Sequence, residues 1–303
     1  MASEEAPISG NREKIMPGQL EGKVAVITGG ASGIGRGTVG VFAEEGAEVI
    51  AADIQDGKGP AIEKAYPGKV RYVHCDVTKE EDIARTIEIA NAEFGRLDCV
   101  FNNAGSAASL EDVDKVTPAG FDQTMHLLVL PALLAIKYAV PIMKPQGGGS
   151  IISTSSICGI QAGWGPPLYS MAKAQLIHLT RVAALMLAPH SVRVNCICPG
   201  YIAAQSIGVG MGLSIEEADA SLEKVAAVSR DFQPIPRAGR PVDIANGAVF
   251  LASDASTFIT GQALAIDGGI TLGSLDCSAS LVEPVAKALG LGSDVLENLS
   301  MKR

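Results

Sequence analysis

The stretch "GKVAVITGGASGIGRGTVGVFAEEGAEVIAADI", residues 22–54, decides the fold. Lys23 to Thr28 reads as a short strand whose Val24 to Ile27 are continuously apolar, the mark of a strand buried on both faces. The glycine turn "TGGASGIG", Thr28 to Gly35, follows; a helical pattern then runs to Glu45 and a second strand runs from Glu48 to Asp53. This is a βαβ unit with its glycines between the first strand and the helix. Gly29, Gly33 and Gly35 there permit a tight turn, a close backbone approach and close helix-strand packing, with a pyrophosphate over the helix N-terminus. Asp53 ends the second strand, where a carboxylate accepts hydrogen bonds from ribose hydroxyls and repels a 2′-phosphate. No basic residue replaces Asp53 and Ser32 in the turn is neutral, so NAD(H) is expected over NADP(H). The plainer reading of Asp53 is an acidic residue in a strand-end turn.

The alternation continues outward. Strands are expected at Val70–Asp76, Leu97–Asn103, Ser150–Ser156, Ser191–Ile197 and Gln262–Asp267. Helices are expected at Lys79–Phe94, around "MHLLVLPALLAIKYAV" (125–140), at Leu168–Ala188 and at Val242–Ser253. Such alternation implies an α/β fold: a single-domain, doubly wound (Rossmann) parallel sheet of about seven strands with helices on both faces. Residues 1–20 read as a flexible arm, 21–269 as the domain, 201–235 as a long irregular insert closing over the substrate, and 270–303 as a tail with a short helix at Ser280–Leu289.

Composition narrows the function. A net charge of −9 and the lack of clustered Lys and Arg speak against nucleic acid. The polar N-terminus lacks the apolar core of a secretory signal. Six scattered cysteines read as reduced core thiols, and the four histidines have no metal-ligand spacing, so no metal is expected. The greasiest run holds ten apolar residues from Leu127 to Ile136 before Lys137, against about 20 for a bilayer span. No membrane partner is expected, and a cytoplasmic location is.

A second constellation lies in "STSSICGIQAGWGPPLYSMAKAQ", residues 153–175. Tyr169 and Lys173 are four apart, on one helix face. An ammonium beside a phenol favours the phenolate and makes the tyrosine a usable base. Alone, such a pair is usually a surface feature.

With "CDVT" (75–78), "NNAG" (102–105), the serines ending at Ser156, "CPG" (198–200) and "RAGRPVDIA" (237–245) in the same order, the chain resembles the short-chain dehydrogenase/reductase family across nearly all of Gly22 to Gly269. The resemblance implies that Ser156 hydrogen-bonds the substrate oxygen, Tyr169 exchanges its proton, and Lys173 holds the nicotinamide ribose and lowers the tyrosine pKa. It implies cofactor contacts at Gly29, Ser32, Gly33, Ile34, Gly35, Asp53, Ile54, Asp76, Val77, Asn103, Ala104, Gly105, Tyr169, Lys173, Pro199, Gly200 and Ile202. Substrate contacts are expected at Ile157, Cys158, Gln161, Trp164 and Tyr201.

Two departures stand out. Leu128 occupies the place where many members carry an Asn that kinks its helix and binds a water linking the lysine to solvent. Ala204 stands where members often carry a Thr that bonds the carboxamide. Pro131 lacks an N–H and crowds the Leu127 carbonyl, so it could supply the kink, with a main-chain carbonyl at Leu127 or Leu128 holding the water; the alternative is that Pro131 starts a helix and Leu128 packs in the core. The expected lining is apolar, with no cation placed to grip a carboxylate. The expected activity is hydride transfer between NAD(H) and an uncharged, apolar, cyclic secondary alcohol or ketone. The alternatives are a diol or dihydrodiol dehydrogenase of the same family and a catalytically weak NAD(H)-binding protein. The same resemblance implies a homodimer or homotetramer built on the helices around 125–143 and 168–188.

Overall fold

The computed structural model describes residues 18–106, 109–229, 233–273 and 287–289. Residues 1–17 of the arm and residues 274–286 and 290–303 of the tail, with most of the helix expected at 280–289, lie outside the described residues.

Seven strands form one sheet: β1 Val24–Thr28, β2 Glu48–Asp53, β3 Val70–His74, β4 Cys99–Asn102, β5 Gly149–Thr154, β6 Val192–Pro199 and β7 Ala263–Ile266. Their order is β3-β2-β1-β4-β5-β6-β7 and every pairing is parallel. The helices are α1 Gly33–Glu44, α2 Gly59–Ala65, α3 Glu80–Phe94, α4 Pro118–Leu128, α5 Leu130–Met143, α6 Pro167–Leu187, α7 Gln205–Gly210, α8 Ile215–Ala220, α9 Leu222–Ser229 and α10 Pro241–Ala252.

The central strands are largely apolar because alternate side chains enter two different cores. Ala25 and Ile27 of β1, Val49 and Ala51 of β2, and Cys99 and Phe101 of β4 pack with Val39 and Phe42 of α1 and Ile244 and Ala248 of α10. Val24, Val26, Ile50, Ala52 and Val100 point the other way, to Ile83 and Ile87 of α3, Leu134 and Ala139 of α5, and Ala183 and Leu187 of α6. The strand order reverses between β1 and β4. The crevice at the carboxyl ends of these two strands is where doubly wound sheets bind ligands.

Three expectations change. The insert holds α7, α8 and α9 rather than irregular chain, and Ser214 and Glu217 form a reciprocal capping box at the start of α8. The helix expected around 125–140 is two helices, interrupted at Val129, with Pro131 in the first turn of α5 and Leu128 buried at the end of α4. Both readings of Pro131 therefore hold in part: the helix is broken, and the proline opens its second half. Finally, the count of ten apolar residues understates this region. Pro118–Met143 is 26 residues, long and apolar enough by length and composition to cross a membrane. In the fold it covers the sheet: α5 lies on α3 and β4, α4 lies on α6, and Lys137 pairs with Glu80 of α3 at 2.6 Å.

Candidate active site

The glycine turn leaves β1 at the crevice. Gly29 has φ +67°, and a Cβ there would lie 2.9 Å from Asn103 Nδ2 and 3.0 Å from Ala104 Cα. A Cβ on Gly35 would run into the Gly29 carbonyl, so only glycine lets α1 start so close to the strand. Ser32, the N-cap of α1, is extended and makes no capping hydrogen bond with its side chain. Thr28 binds the neighbouring turn: its Oγ1 accepts from Asn103 N at 3.0 Å and Ala104 N at 3.1 Å, and its carbonyl accepts from Asn103 Nδ2 at 3.1 Å.

A second group of side chains comes from β5 and α6. After β5, Ser156 begins a 3-10 turn (Ile157–Gly159), and its Oγ accepts from Cys158 N at 3.2 Å. A Cβ on Gly159 would lie 2.6 Å from the Lys173 carbonyl carbon, so this glycine lets the turn sit directly on α6. Ser155 Oγ donates to the Lys173 carbonyl at 2.7 Å and fixes the same contact. Tyr169, in the first turn of α6 and half-buried, and Lys173, one turn on and only 5% exposed, thus face the end of β5. Lys173 Nζ lies 5.4 Å from the Tyr169 ring centre and donates to the Thr154 carbonyl at 2.8 Å.

The electrostatics differ from the expectation drawn from spacing. Burial pushes the Tyr169 phenol up to about 12, the Cys158 thiol adds to that, and a hydrogen bond with Ser156 opposes it. Burial also brings Lys173 down to about 8, against the opposing pull of Cys158, Cys198 and Cys196. A lysine that loses its proton near 8 is neutral before a phenol near 12 ionises, so in the protein alone Lys173 does not lower Tyr169.

The two groups share one cavity of about 500 Å³. Of the expected cofactor contacts, Gly29, Ser32, Gly33, Ile34, Asn103, Ala104, Gly105, Tyr169, Lys173, Pro199, Gly200 and Ile202 line it. Ile157, Cys158, Trp164 and Tyr201 line it too, together with Ser156, and among the described residues Lys173 is the one charged lining residue. Several expected contacts are elsewhere. Gln161 is exposed and off the wall, Ile54 is 62% exposed, and Val77 is buried in the core behind β1. Asp76 is half-buried and accepts from Thr78 N and Oγ1 at 3.0 and 2.7 Å, so it shapes its own turn. Asp53 is 6% exposed; its Oδ2 accepts from Ala31 N at 2.9 Å and its Oδ1 from Gln55 N at 3.0 Å.

The sequence reading missed Ser106, Thr154, Ile207 and Ile270 on the wall. The first two follow or end recognised strands and were within reach; the others come from the insert and the chain after β7, which carry no motif. Ala204 also lines the cavity and offers no polar atom from its side chain. Its neighbour Gln205 does not replace one, since its amide turns away to the Ile215 carbonyl at 3.3 Å. Leu128 lies behind the wall: a Cβ on Gly105 would be 2.9 Å from Leu128 Cδ2.

The cradle fits a dinucleotide. Backbone crowding excludes side chains where phosphates must approach, and the first N–H groups of α1 open beside Ser32. Residues 29–271 match the family described as Enoyl-(Acyl carrier protein) reductase. The chain is 35% identical to a (+)-borneol dehydrogenase 2 from Salvia officinalis, over 84% of this chain and 92% of that one. It is 38% identical to a 2,5-dichloro-2,5-cyclohexadiene-1,4-diol dehydrogenase from Sphingobium indicum, over 83% of this chain and 98% of that one. Its fold is similar to the crystal structure of levodione reductase, with a TM-score of 0.74 and 28% identity, covering 84% of this chain and all of that one. A seven-stranded parallel sheet, a glycine cradle at its switch point and a tyrosine and lysine on one helix face agree with these matches along most of the chain: it belongs to the short-chain dehydrogenase/reductase family.

Proposed function

We propose that this oxidoreductase prefers NAD(H) and acts on the CH–OH group, or the corresponding ketone, of an uncharged, apolar, ring-borne secondary alcohol. The observation that carries the reading is the shared cavity. It brings Ser156, Tyr169 and Lys173 to the same wall as the glycine turn, and Lys173 is its only charged lining residue among the described residues. A carboxylate or phosphate substrate would find no second cation there among the described residues.

When bound, a nicotinamide dinucleotide supplies the hydride acceptor or donor and, in its oxidised form, a positive charge. Gly29 to Gly35, with the start of α1, would hold its phosphates, and Asp53 would meet its adenosine ribose. The remaining chemistry belongs to side chains of this chain. Ser156 Oγ hydrogen-bonds the substrate oxygen and orients it. Tyr169 exchanges the proton at that oxygen. Lys173 holds the ribose on the nicotinamide side and, with its proton on below about pH 8, stabilises negative charge on the tyrosine oxygen. Leu128 takes the place of the polar helix residue and leaves any link from Lys173 to solvent to main-chain carbonyls at the α4–α5 break. The exposed apolar faces of α5 and α6 pair copies into a dimer or tetramer, and the protein works in the cytoplasm.

The second reading, a ring diol as substrate, is favoured by the similarity to the cyclohexadiene-diol dehydrogenase. Both are tested by following NADH absorbance over a panel of cyclic monoalcohols, diols and ketones. Turnover is expected, and Tyr169→Phe is expected to lower kcat by a factor of about 10² to 10⁴ while NADH still binds. If NADH binds but nothing on the panel turns over, the protein is a nucleotide binder rather than this enzyme.

A further inference from the structure

We infer that Gln55 is a positioning residue for cofactor choice, a brace that fixes the Asp53 carboxylate against the glycine turn and so sharpens discrimination between a ribose hydroxyl and a 2′-phosphate. The inference rests on the NAD(H) reading and deepens it.

Gln55 follows β2 by two residues and is half-buried. Its side-chain amide bridges two groups far apart in sequence: Nε2 donates to Asp53 Oδ1 at 3.2 Å and to Ser32 Oγ at 3.3 Å. Its backbone N–H donates to the same Asp53 oxygen at 3.0 Å. With Ala31 N on Oδ2 at 2.9 Å, the carboxylate is held from both sides by the turn and by Gln55. Ser32 is the member of this set that reaches the cavity wall.

The amide can stand only this way round. Reversed, its oxygen would face the Asp53 carboxylate, acceptor against acceptor. In the orientation adopted, Oε1 is shut from solvent without a partner among the described residues. A buried amide oxygen left bare is unfavourable, and it marks a side chain held by its donor end rather than by its acceptor. The bridge to Ser32 and Asp53 is thus what sets the position of Gln55.

The consequence is chemical. A carboxylate pinned at both oxygens cannot rotate away from an arriving 2′-phosphate, so like-charge repulsion is felt in full. It stays placed to accept from a hydroxyl. Ser32 Oγ accepts from the Gln55 amide, so its own O–H remains a donor for a nearby ligand oxygen. Without the Gln55 amide, Asp53 keeps only the two backbone donors, Gln55 N on Oδ1 and Ala31 N on Oδ2, so the carboxylate is held less tightly, which weakens the hold on a hydroxyl and eases the repulsion of a phosphate.

The test is titration calorimetry of NADH and NADPH on the full chain, comparing wild type with Gln55→Leu and, as a second variant cutting the other end of the brace, Ser32→Ala. The wild type is expected to bind NADH more tightly. Gln55→Leu is expected to narrow the ratio of the two dissociation constants by about tenfold, the size of a lost hydrogen bond to a charged group, and Ser32→Ala to narrow it less. A general structural fault would weaken both cofactors equally and leave the ratio alone. An unchanged ratio in both variants, with a wild type that prefers NADH, overturns the role of Gln55 only. A wild type that prefers NADPH, or binds neither, overturns the NAD(H) reading and this inference with it.

Discussion

At the level of single residues, the spacing of Tyr169 and Lys173 was legible in the sequence but their ionisation was not. An i, i+4 pair on a helix sets proximity; it does not say how much solvent each group loses. Here burial dominates both, raising Tyr169 to about 12 and lowering Lys173 to about 8. This makes a prediction about stability. Between about pH 8 and the ordinary lysine value of 10.5, the unfolded chain holds a proton at Lys173 that the folded chain has released, so this group makes stability rise with pH, opposed from about pH 9 by the buried Cys75 and Cys99 thiols, which keep their protons in the folded chain. Between 10 and about 12 the folded chain keeps the Tyr169 proton that the unfolded chain has lost, so stability falls. In Lys173→Met the rise is expected to shrink while the fall remains, as read by calorimetric Tm from pH 7.5 to 11. A rise of the same size in the variant would show that the buried lysine is not its source.

At the level of elements, the strands and long helices were legible because their patterns are long and their faces are buried. The insert was not. Helices of six to eight residues, with Gly208 and Gly210 inside α7 and Gly212 just after it, carry too few apolar repeats to show a period. The α4–α5 junction was half legible: Pro131 signals both a kink and a helix start, and at Val129 the chain does both. Leu128 at this break is 5% exposed and sits against Gly105. Leu128→Asn would put an amide into that apolar contact and is expected to lower stability by about 1–3 kcal/mol, measured by urea unfolding, with no gain in kcat. A variant as stable as the wild type and faster would show that this position lacks a polar group the chemistry needs.

At the level of the whole molecule, the feature least explained by a single copy is its exposed apolar face. The sheet and its two cores account for the inward side of α5 and α6, where Leu134, Ala139, Ala183 and Leu187 are buried. They do not account for the outward side. Leu133 of α5 and Met171, Val182, Leu185 and Met186 of α6 stand in solvent, with Leu185 81% exposed. Met171, Val182 and Leu185 fall on one helical stripe with the exposed His178 between the first two, so the apolar surface gathers on one side of α6, most densely at Val182, Leu185 and Met186. Exposed apolar side chains gathered on one helix side are suited to a subunit interface, and a twofold axis would set each copy's stripe against its mate's. Leu185→Asp tests this cleanly, because in a monomer the substitution is at the surface and changes stability by about 0.5 kcal/mol at most. In a paired molecule it buries two unpaired carboxylates at one seam, which cannot be compensated locally. Sedimentation velocity is therefore expected to show a wild-type dimer or tetramer and a Leu185→Asp species of half that mass or less, its Tm falling with dilution. Equal masses for the two proteins would place the subunit contact on another face.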